Sequence, residues 1–108
     1  MPGYSSILAA DGDESISVTN TAASLTLPAH FASSGVNAGR ATIQCRTAPI
    51  LFTLNGTAPT TEDASTGIRL EIGEKLVLST LAEMRNLRMI RAIASNGAVF
   101  VIYERRVN

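Results

Sequence analysis

Alternation of apolar and polar residues is clearest between positions 48 and 79. Two alternating runs, Ile50–Leu54 and Ile68–Ile72, flank a polar loop, and a third run, Leu76–Leu78, follows soon after Gly73. A period of two places successive side chains on opposite faces of a strand. The pattern therefore predicts a small β-meander, with Ile68, Leu70 and Ile72 pointing into the core.

The same period recurs in other segments, which predict further strands: Ser15–Thr19, Ser24–Leu27, Arg40–Arg46, Leu87–Ala94 and Ala98–Glu104. The pairs Asn55-Gly56 and Asn96-Gly97 are turn signals, and the second predicts that the last two strands form a hairpin. The run from Val99 to Tyr103 is apolar at every position, which predicts a strand buried between two layers.

One segment has helical character. Ser79 or Thr80 is a suitable N-cap, and Glu83 stands near the third helical position, so a single turn near 80–86 is expected. With about eight short antiparallel strands and turn signals between them, the chain is predicted to be all-β, a single β-sandwich or a small barrel. At 108 residues it is expected to form one domain, over residues 15–106.

Residues 1–14 precede the first regular alternation and are treated as an N-terminal arm. Tyr4, Ile7 and Leu8 form an apolar knot in this segment. Two interpretations stay open. The segment is either a terminal strand or frayed end of the domain, or an arm that docks its apolar residues on a neighbouring subunit.

Composition narrows the class of protein. The formal net charge is zero, which argues against a nucleic-acid binder, and only 17% of residues are charged. Such a low charge indicates either a surface covered by another chain or a thick core. No segment is long and apolar enough for a membrane helix, and a signal peptide is not evident, so synthesis in the cytoplasm is expected.

Candidate chemistry is sparse. His30 is the single histidine and lies in a loop without a nucleophile motif, while Cys45 is in phase with apolar residues and is expected to be buried. We therefore predict no catalytic residue, no metal site and no cofactor. The long loop Thr57–Gly67, which contains Thr60, Glu62 and Asp63, is instead a candidate binding element.

Arginines supply a second candidate surface. Arg85, Arg88 and Arg91 are close in sequence, and Arg105 and Arg106 end the adjacent predicted strand. A hairpin of these strands would gather positive charge at one end of the domain, away from the acids of 11–14 and 62–63. Such polarity suits head-to-tail contacts between subunits, although a solvated face with local ion pairs is the alternative.

Two stretches carry a family resemblance: TAPILFTLNGTAPTTEDASTGIRLEIGEKLVL and LAEMRNLRMIRAIASNGAVFVIYE. Together they resemble small β-structured virion proteins of tailed phages, over roughly residues 15–104. The resemblance implies a jelly-roll-like sandwich that acts as a capsid decoration or cement protein, or as a minor head component. It implies binding to the major capsid protein or other virion subunits, homo-oligomers on the particle, location in the virion, and no contact with nucleic acid or membrane.

A shorter stretch supports an alternative. FTLNGTAPTTEDA also resembles the FTxDGxxPT hairpin of immunoglobulin-like accessory modules in carbohydrate-active enzymes, although Asn55 stands in place of the usual aspartate. This resemblance implies a glycan- or protein-binding module on a larger assembly. The residues predicted to bind a partner are Tyr4, Ile7, Leu8, Thr60, Glu62, Asp63, Arg88, Arg105 and Arg106.

Overall fold

The computed structural model describes residues 7–28, 31, 38–59 and 67–107. Within these ranges the chain forms seven strands and one short helix. They are β1 (Ile7–Val18), β2 (Ala38–Cys45), β3 (Ile50–Thr53), β4 (Ile68–Leu70), β5 (Lys75–Leu78), α1 (Leu81–Asn86), β6 (Arg88–Arg91) and β7 (Gly97–Val107).

The strands form two antiparallel sheets. The first has the order β1-β7-β2-β5 and the second the order β4-β3-β6. The prediction of an all-β domain with one short helix is confirmed. The finer description as a jelly-roll-like sandwich stays a prediction.

β7 is the central strand of the first sheet. It pairs with β1 from Ile7↔Val107 to Val18↔Gly97, and with β2 from Ala38↔Arg105 to Cys45↔Val99. Side chains at alternate positions of β7 (Val99, Val101 and Tyr103) are buried in the core. The predicted inward face of β2 is also confirmed, since Ala41, Ile43 and Cys45 are fully buried.

β1 is longer than the predicted strand and crosses the predicted boundary at residue 15. Its pairing with β7 shifts register between Ala10 and Asp13, where Gly12 has a φ of 120°. A glycine reaches this positive φ without the clash that a Cβ would cause, so it permits a bulge within the strand. Residues 7–14 therefore continue the edge strand of the sheet.

Two predicted pairings are wrong. The strands β6 and β7 do not form a hairpin, because they belong to different sheets, and β5 pairs with β2 rather than with β4. The Asn96-Gly97 turn instead carries the chain from one sheet to the other. β1 and β2 pair along nearly the whole length of β7, whereas β6 has only four residues and could pair with a small part of it. Turn signals reflect neighbouring residues only, so they contain no information on partners that are distant in sequence.

The predicted strand Ser24–Leu27 is also wrong. This segment has no strand beyond a single bridge between Ala23 and Met89, although Leu25 and Leu27 still pack against the core. Backbone bonds between Ala23 and Met89 (2.9 Å in each direction) and from Arg91 N to Thr19 O (2.8 Å) attach the crossing segment to the edge of β6.

Both sheets contribute to one hydrophobic core. The first sheet supplies inward residues of β7, β2 and β5, while the second supplies Ile50, Phe52, Leu70 and Met89. The outer side of the second sheet has a smaller cluster of Leu51, Ile90 and Ala92. β3 is consequently buried on both faces, which its alternating pattern did not predict.

The helix α1 follows its predicted capping pattern. Thr80 is the N-cap, and its hydroxyl accepts a hydrogen bond from the N–H of Glu83 (3.1 Å), while the Glu83 carboxylate accepts one from Ser79 N (3.2 Å). These bonds satisfy donors that a helix start leaves without an intrahelical partner. Met84 then turns into the core.

Gly97, at the start of β7, lies close to the link between β2 and β3. A Cβ at this buried position would lie 2.8 Å from the Ala48 carbonyl oxygen and 3.0 Å from Cγ2 of Ile50.

We expect Gly97→Ala to lower the free energy of unfolding by about 1–3 kcal/mol, because the backbone must move to admit a methyl group. Urea denaturation measures this. Ser95→Ala, in the exposed part of the same link, is the matched control and should change stability by less than about 0.5 kcal/mol; equal effects of the two substitutions would contradict the close approach.

Candidate functional site

The predicted partner-binding residues fall into two groups. Tyr4, Thr60, Glu62 and Asp63 lie outside the described residues, as does His30. The other five lie in strands. Ile7 and Leu8 are at the start of β1, opposite Val107 and Arg106 at the end of β7.

The arginine cluster that the hairpin would have created does not form. Arg91 lies beside Thr19, near the Val18–Gly97 end of the first sheet. Arg105 lies eight positions further along β7, a distance of about 27 Å at 3.4 Å per residue. The two therefore lie towards opposite ends of β7, and the prediction of a positive pole is wrong.

Ion pairs neutralise much of the charge locally. Arg105 lies 3.9 Å from Asp11, one of the acids predicted to form the opposite pole, and Arg40 pairs with Glu104. Arg88 is half-buried and donates hydrogen bonds to the carbonyls of Arg85 (2.9 Å) and Leu87 (2.8 Å). Arg88 thus stabilises the end of α1. The sequence analysis did not predict this role, because it considered only the charge of Arg88.

Among the residues whose burial is described, the most exposed large apolar side chains lie at β4 and just after it. Ile68 is 61% exposed and Ile72 is 57% exposed, so the prediction that both point into the core is wrong. Only Leu70 of this run is buried. These isoleucines are exposed because β4 is a three-residue strand at the edge of its sheet. Alternation shows which side chains share a face, but not whether another layer covers that face.

A second apolar surface is the outer face of the first sheet. Phe100 and Ile102 of β7 point to this side, and Val77 of β5 lies in the same row as Ile102, with Thr42 between them. Ile102 is 43% exposed and Val77 is 51% exposed. The prediction that the β7 run is buried on both faces is therefore wrong. A usable signal was the set of polar residues facing out from the neighbouring strands, including Ser15, Ser17, Thr42 and Gln44.

A shallow groove of about 610 Å³ crosses one end of this face. Its lining includes Ser15, Arg46, Ala98 and Phe100. The Arg46 guanidinium lies 6.0 Å from the centroid of the Phe100 ring, at the limit of a cation–π contact. The groove therefore offers one cation, one aromatic ring and hydroxyl groups.

A smaller depression of about 290 Å³ lies beside the β1 bulge. Here the Tyr103 hydroxyl donates a hydrogen bond to Glu14, and the same carboxylate accepts one from the N–H of Thr26 (2.9 Å). The Tyr103 ring packs edge-on against Phe31, with centroids 6.1 Å apart. The Glu14 carboxylate thus joins the first sheet to the segment that crosses to the second sheet. This structural role accounts for the polar residues that line the depression.

Cys45 is fully buried, as predicted. Its thiol donates a hydrogen bond to the carbonyl of Ala48 (3.0 Å). Burial raises the pKa of the thiol, and the nearby negative charges of Glu71 and Glu74 raise it further. Since the thiolate is the reactive form, the environment of Cys45 disfavours nucleophilic chemistry.

Among the residues that the structure describes, no three His, Cys, Asp or Glu side chains come together as a set able to hold a metal ion. The same part of the chain has no helix with the length and apolar character needed to cross a membrane.

No protein-family model, curated protein or solved structure matches this chain. The exposed apolar side chains define the candidate site, which consists of the two apolar surfaces at β4 and on the outer face of the first sheet.

The Tyr103–Glu14 contact leads to a pH-dependent prediction. Burial, together with the bond to Glu14, raises the pKa of Tyr103 above its ordinary value. Folding therefore favours the protonated phenol, and this contribution is complete below about pH 10 and decreases as the pH rises further, because the unfolded chain then releases the proton more readily. We expect Tyr103→Phe to cost about 1–3 kcal/mol at pH 7.

Above pH 10 the difference between wild type and Tyr103→Phe should shrink by up to about 1.4 kcal/mol per pH unit. Urea titrations at pH 7, 10 and 11 measure it. Because phenylalanine keeps the ring packed on Phe31, the comparison isolates the hydroxyl. A difference that stays constant over this range would show that the phenol has no raised pKa.

Cys45 provides a test of core packing. We expect a thiol reagent such as 5,5′-dithiobis(2-nitrobenzoate) to label native protein about a thousandfold more slowly than urea-unfolded protein, because the reaction requires opening of the core. A variant with Cys45 kept and Ser95→Cys added supplies an exposed thiol as the control. Labelling of native Cys45 at the rate of that exposed thiol would contradict its burial.

Proposed function

We propose that this chain is a non-catalytic structural protein of a tailed-phage particle, a capsid decoration or cement protein that binds and stabilises the lattice of the major capsid protein. The observation that carries the proposal is the exposure of Ile68 and Ile72 at β4. Contiguous apolar patches in water are typical of protein-binding sites, and Ile68 and Ile72 are four positions apart in the chain.

The neighbourhood of β4 supports this use. β4 directly follows the loop Thr57–Gly67, which the sequence marks as a candidate binding element. At the two ends of that loop, Pro59 is buried and a Cβ at Gly67 would lie within 3.2 Å of Pro59 and Leu51. Pro59 and Gly67 therefore lie against each other, and Gly67 lies against Leu51 of the second sheet, directly before β4.

Charge has a secondary part in the proposed contact. Arg69 of β4 pairs with Glu71, which neutralises the charges between the two isoleucines. Exposed ion pairs contribute little to affinity and are screened by salt, whereas apolar burial is not. Binding through β4 is therefore expected to depend only weakly on ionic strength.

The double variant Ile68→Ser/Ile72→Ser tests the proposal. We expect it to weaken binding to expanded capsids of the same phage at least tenfold, because burial of two isoleucines supplies about 3 kcal/mol or more when both are fully covered. Co-sedimentation over a range of protein concentrations measures the affinity. Ile93→Ser, in the link between β6 and β7, is the matched control, since Ile93 is also an exposed isoleucine (39%) but lies away from β4.

Two results would overturn the proposal. One is the absence of capsid binding by the wild-type chain at concentrations up to about 100 μM, the range of weak protein contacts. The other is unchanged binding by the double variant. Calorimetric binding of a glycan without capsid association would favour the accessory-module alternative instead.

A further inference from the structure

The outer face of the first sheet has a regular arrangement that the proposed function does not use. Its four strands, β1, β7, β2 and β5, present rows of outward side chains whose order follows from the pairing. One row contains Ser15, Phe100, Gln44 and Lys75. The next contains Asp13, Ile102, Thr42 and Val77.

Charges on these two rows occur only at the edges. Asp13 is on β1 and Lys75 is on β5, and three strand spacings, about 14 Å, separate these two edge strands. A direct ion pair within one molecule is therefore out of reach for them. The interior of both rows is apolar or uncharged, with exposed Ile102 and half-buried Phe100. The nearest interior charge is Arg46 in the adjoining row, whose guanidinium lies 6.0 Å from the centroid of the Phe100 ring.

We propose that this face binds a second copy of the chain, about a two-fold axis that lies between the sheets and runs along the strands. This symmetry places β1 of one copy over β5 of the other and β7 over β2. Asp13 then lies one row from the partner's Lys75, on both sides of the dimer. Opposite charges thus meet at each edge, and the uncharged interior meets itself.

The next row follows the same symmetry. Glu104 of β7 and Arg40 of β2 are opposite each other in the sheet and pair within one copy. In the dimer each of them lies over its opposite charge in the partner. A two-fold axis across the strands would instead bring Asp13 beside Asp13 and Lys75 beside Lys75, so the charge pattern selects the axis along the strands.

The size of the face predicts the strength of the dimer. Four strands at about 4.8 Å and four rows at about 6.8 Å cover a projected area of about 500 Å² per copy. Stable interfaces bury about 800 Å² of accessible surface per partner, so this face is at the weak end of specific contacts. Sheets that pack with aligned strands keep a spacing of about 10 Å, so the Cα atoms of Asp13 and the partner's Lys75, one row apart, are about 12 Å apart. The lysine and aspartate side chains together can span this gap. The dimer is therefore expected to form in the micromolar range.

Charge reversal tests both the partner and the axis. Sedimentation velocity of the wild-type chain between 1 and about 300 μM should show a monomer–dimer equilibrium. Asp13→Lys and Lys75→Asp should each weaken the dimer about tenfold, because both edges then bring like charges together. An equimolar mixture of the two variants should recover the wild-type association, since every edge of the mixed dimer again joins a lysine to an aspartate.

The mixing result separates this interface from a loss of folding, because two misfolded variants would not restore each other. Ile102→Lys should abolish the dimer up to about 300 μM, while Ile93→Lys, outside the face, should leave it unchanged. A wild-type chain that stays monomeric at 300 μM overturns the proposal, and so does a dimer that none of the face substitutions affects. Capsid binding through β4 is tested separately by the isoleucine variants. One of the two proposals can therefore be contradicted while the other stands.

Discussion

The hydrogen-bonded placement of β7 between β1 and β2 is the constraint on which the rest of the structure depends. A strand with partners on both sides satisfies its backbone groups along its length. It also fixes which side chains face each way, since a register change of one residue would exchange the two faces. The inward face of β7 therefore buries Val99, Val101 and Tyr103 in the core. Its outer face carries Phe100 and Ile102.

Local contacts hold the two sheets together at three places in the described part of the chain. Gly97 lacks a side chain where the chain passes Ala48. Gly73 adopts a positive φ of 88° in the turn before β5, and its N–H bonds to the carbonyl of Cys45 (2.8 Å). The segment after β1 is held by the Glu14 carboxylate, which bonds to both Tyr103 and Thr26. The second sheet is consequently fixed over the first at three independent places.

Among the described residues, the surface combines local ion pairs, such as Arg40–Glu104 and Arg105–Asp11, with two apolar areas. In these pairs opposite charges lie side by side and not at opposite ends of the domain. Recognition of a partner then depends on where apolar side chains remain in water, at β4 and on the outer face of β7. The two areas lie on different sheets, so binding to a lattice and association between copies do not compete for the same residues in our proposals.

The sequence by itself determined the features that depend on neighbouring residues. Alternation identified the inward residues of β2, the capping pattern placed α1 after Thr80, and an apolar setting indicated that Cys45 is buried. The predicted meander correctly paired β3 with β4. Tertiary structure alone decided how β5, β6 and β7 pair, because a turn such as Asn96-Gly97 is compatible with a hairpin and with a crossing between sheets. It also decided that Ile68 and Ile102 are exposed, since the period of a strand defines two faces but not which of them another layer covers.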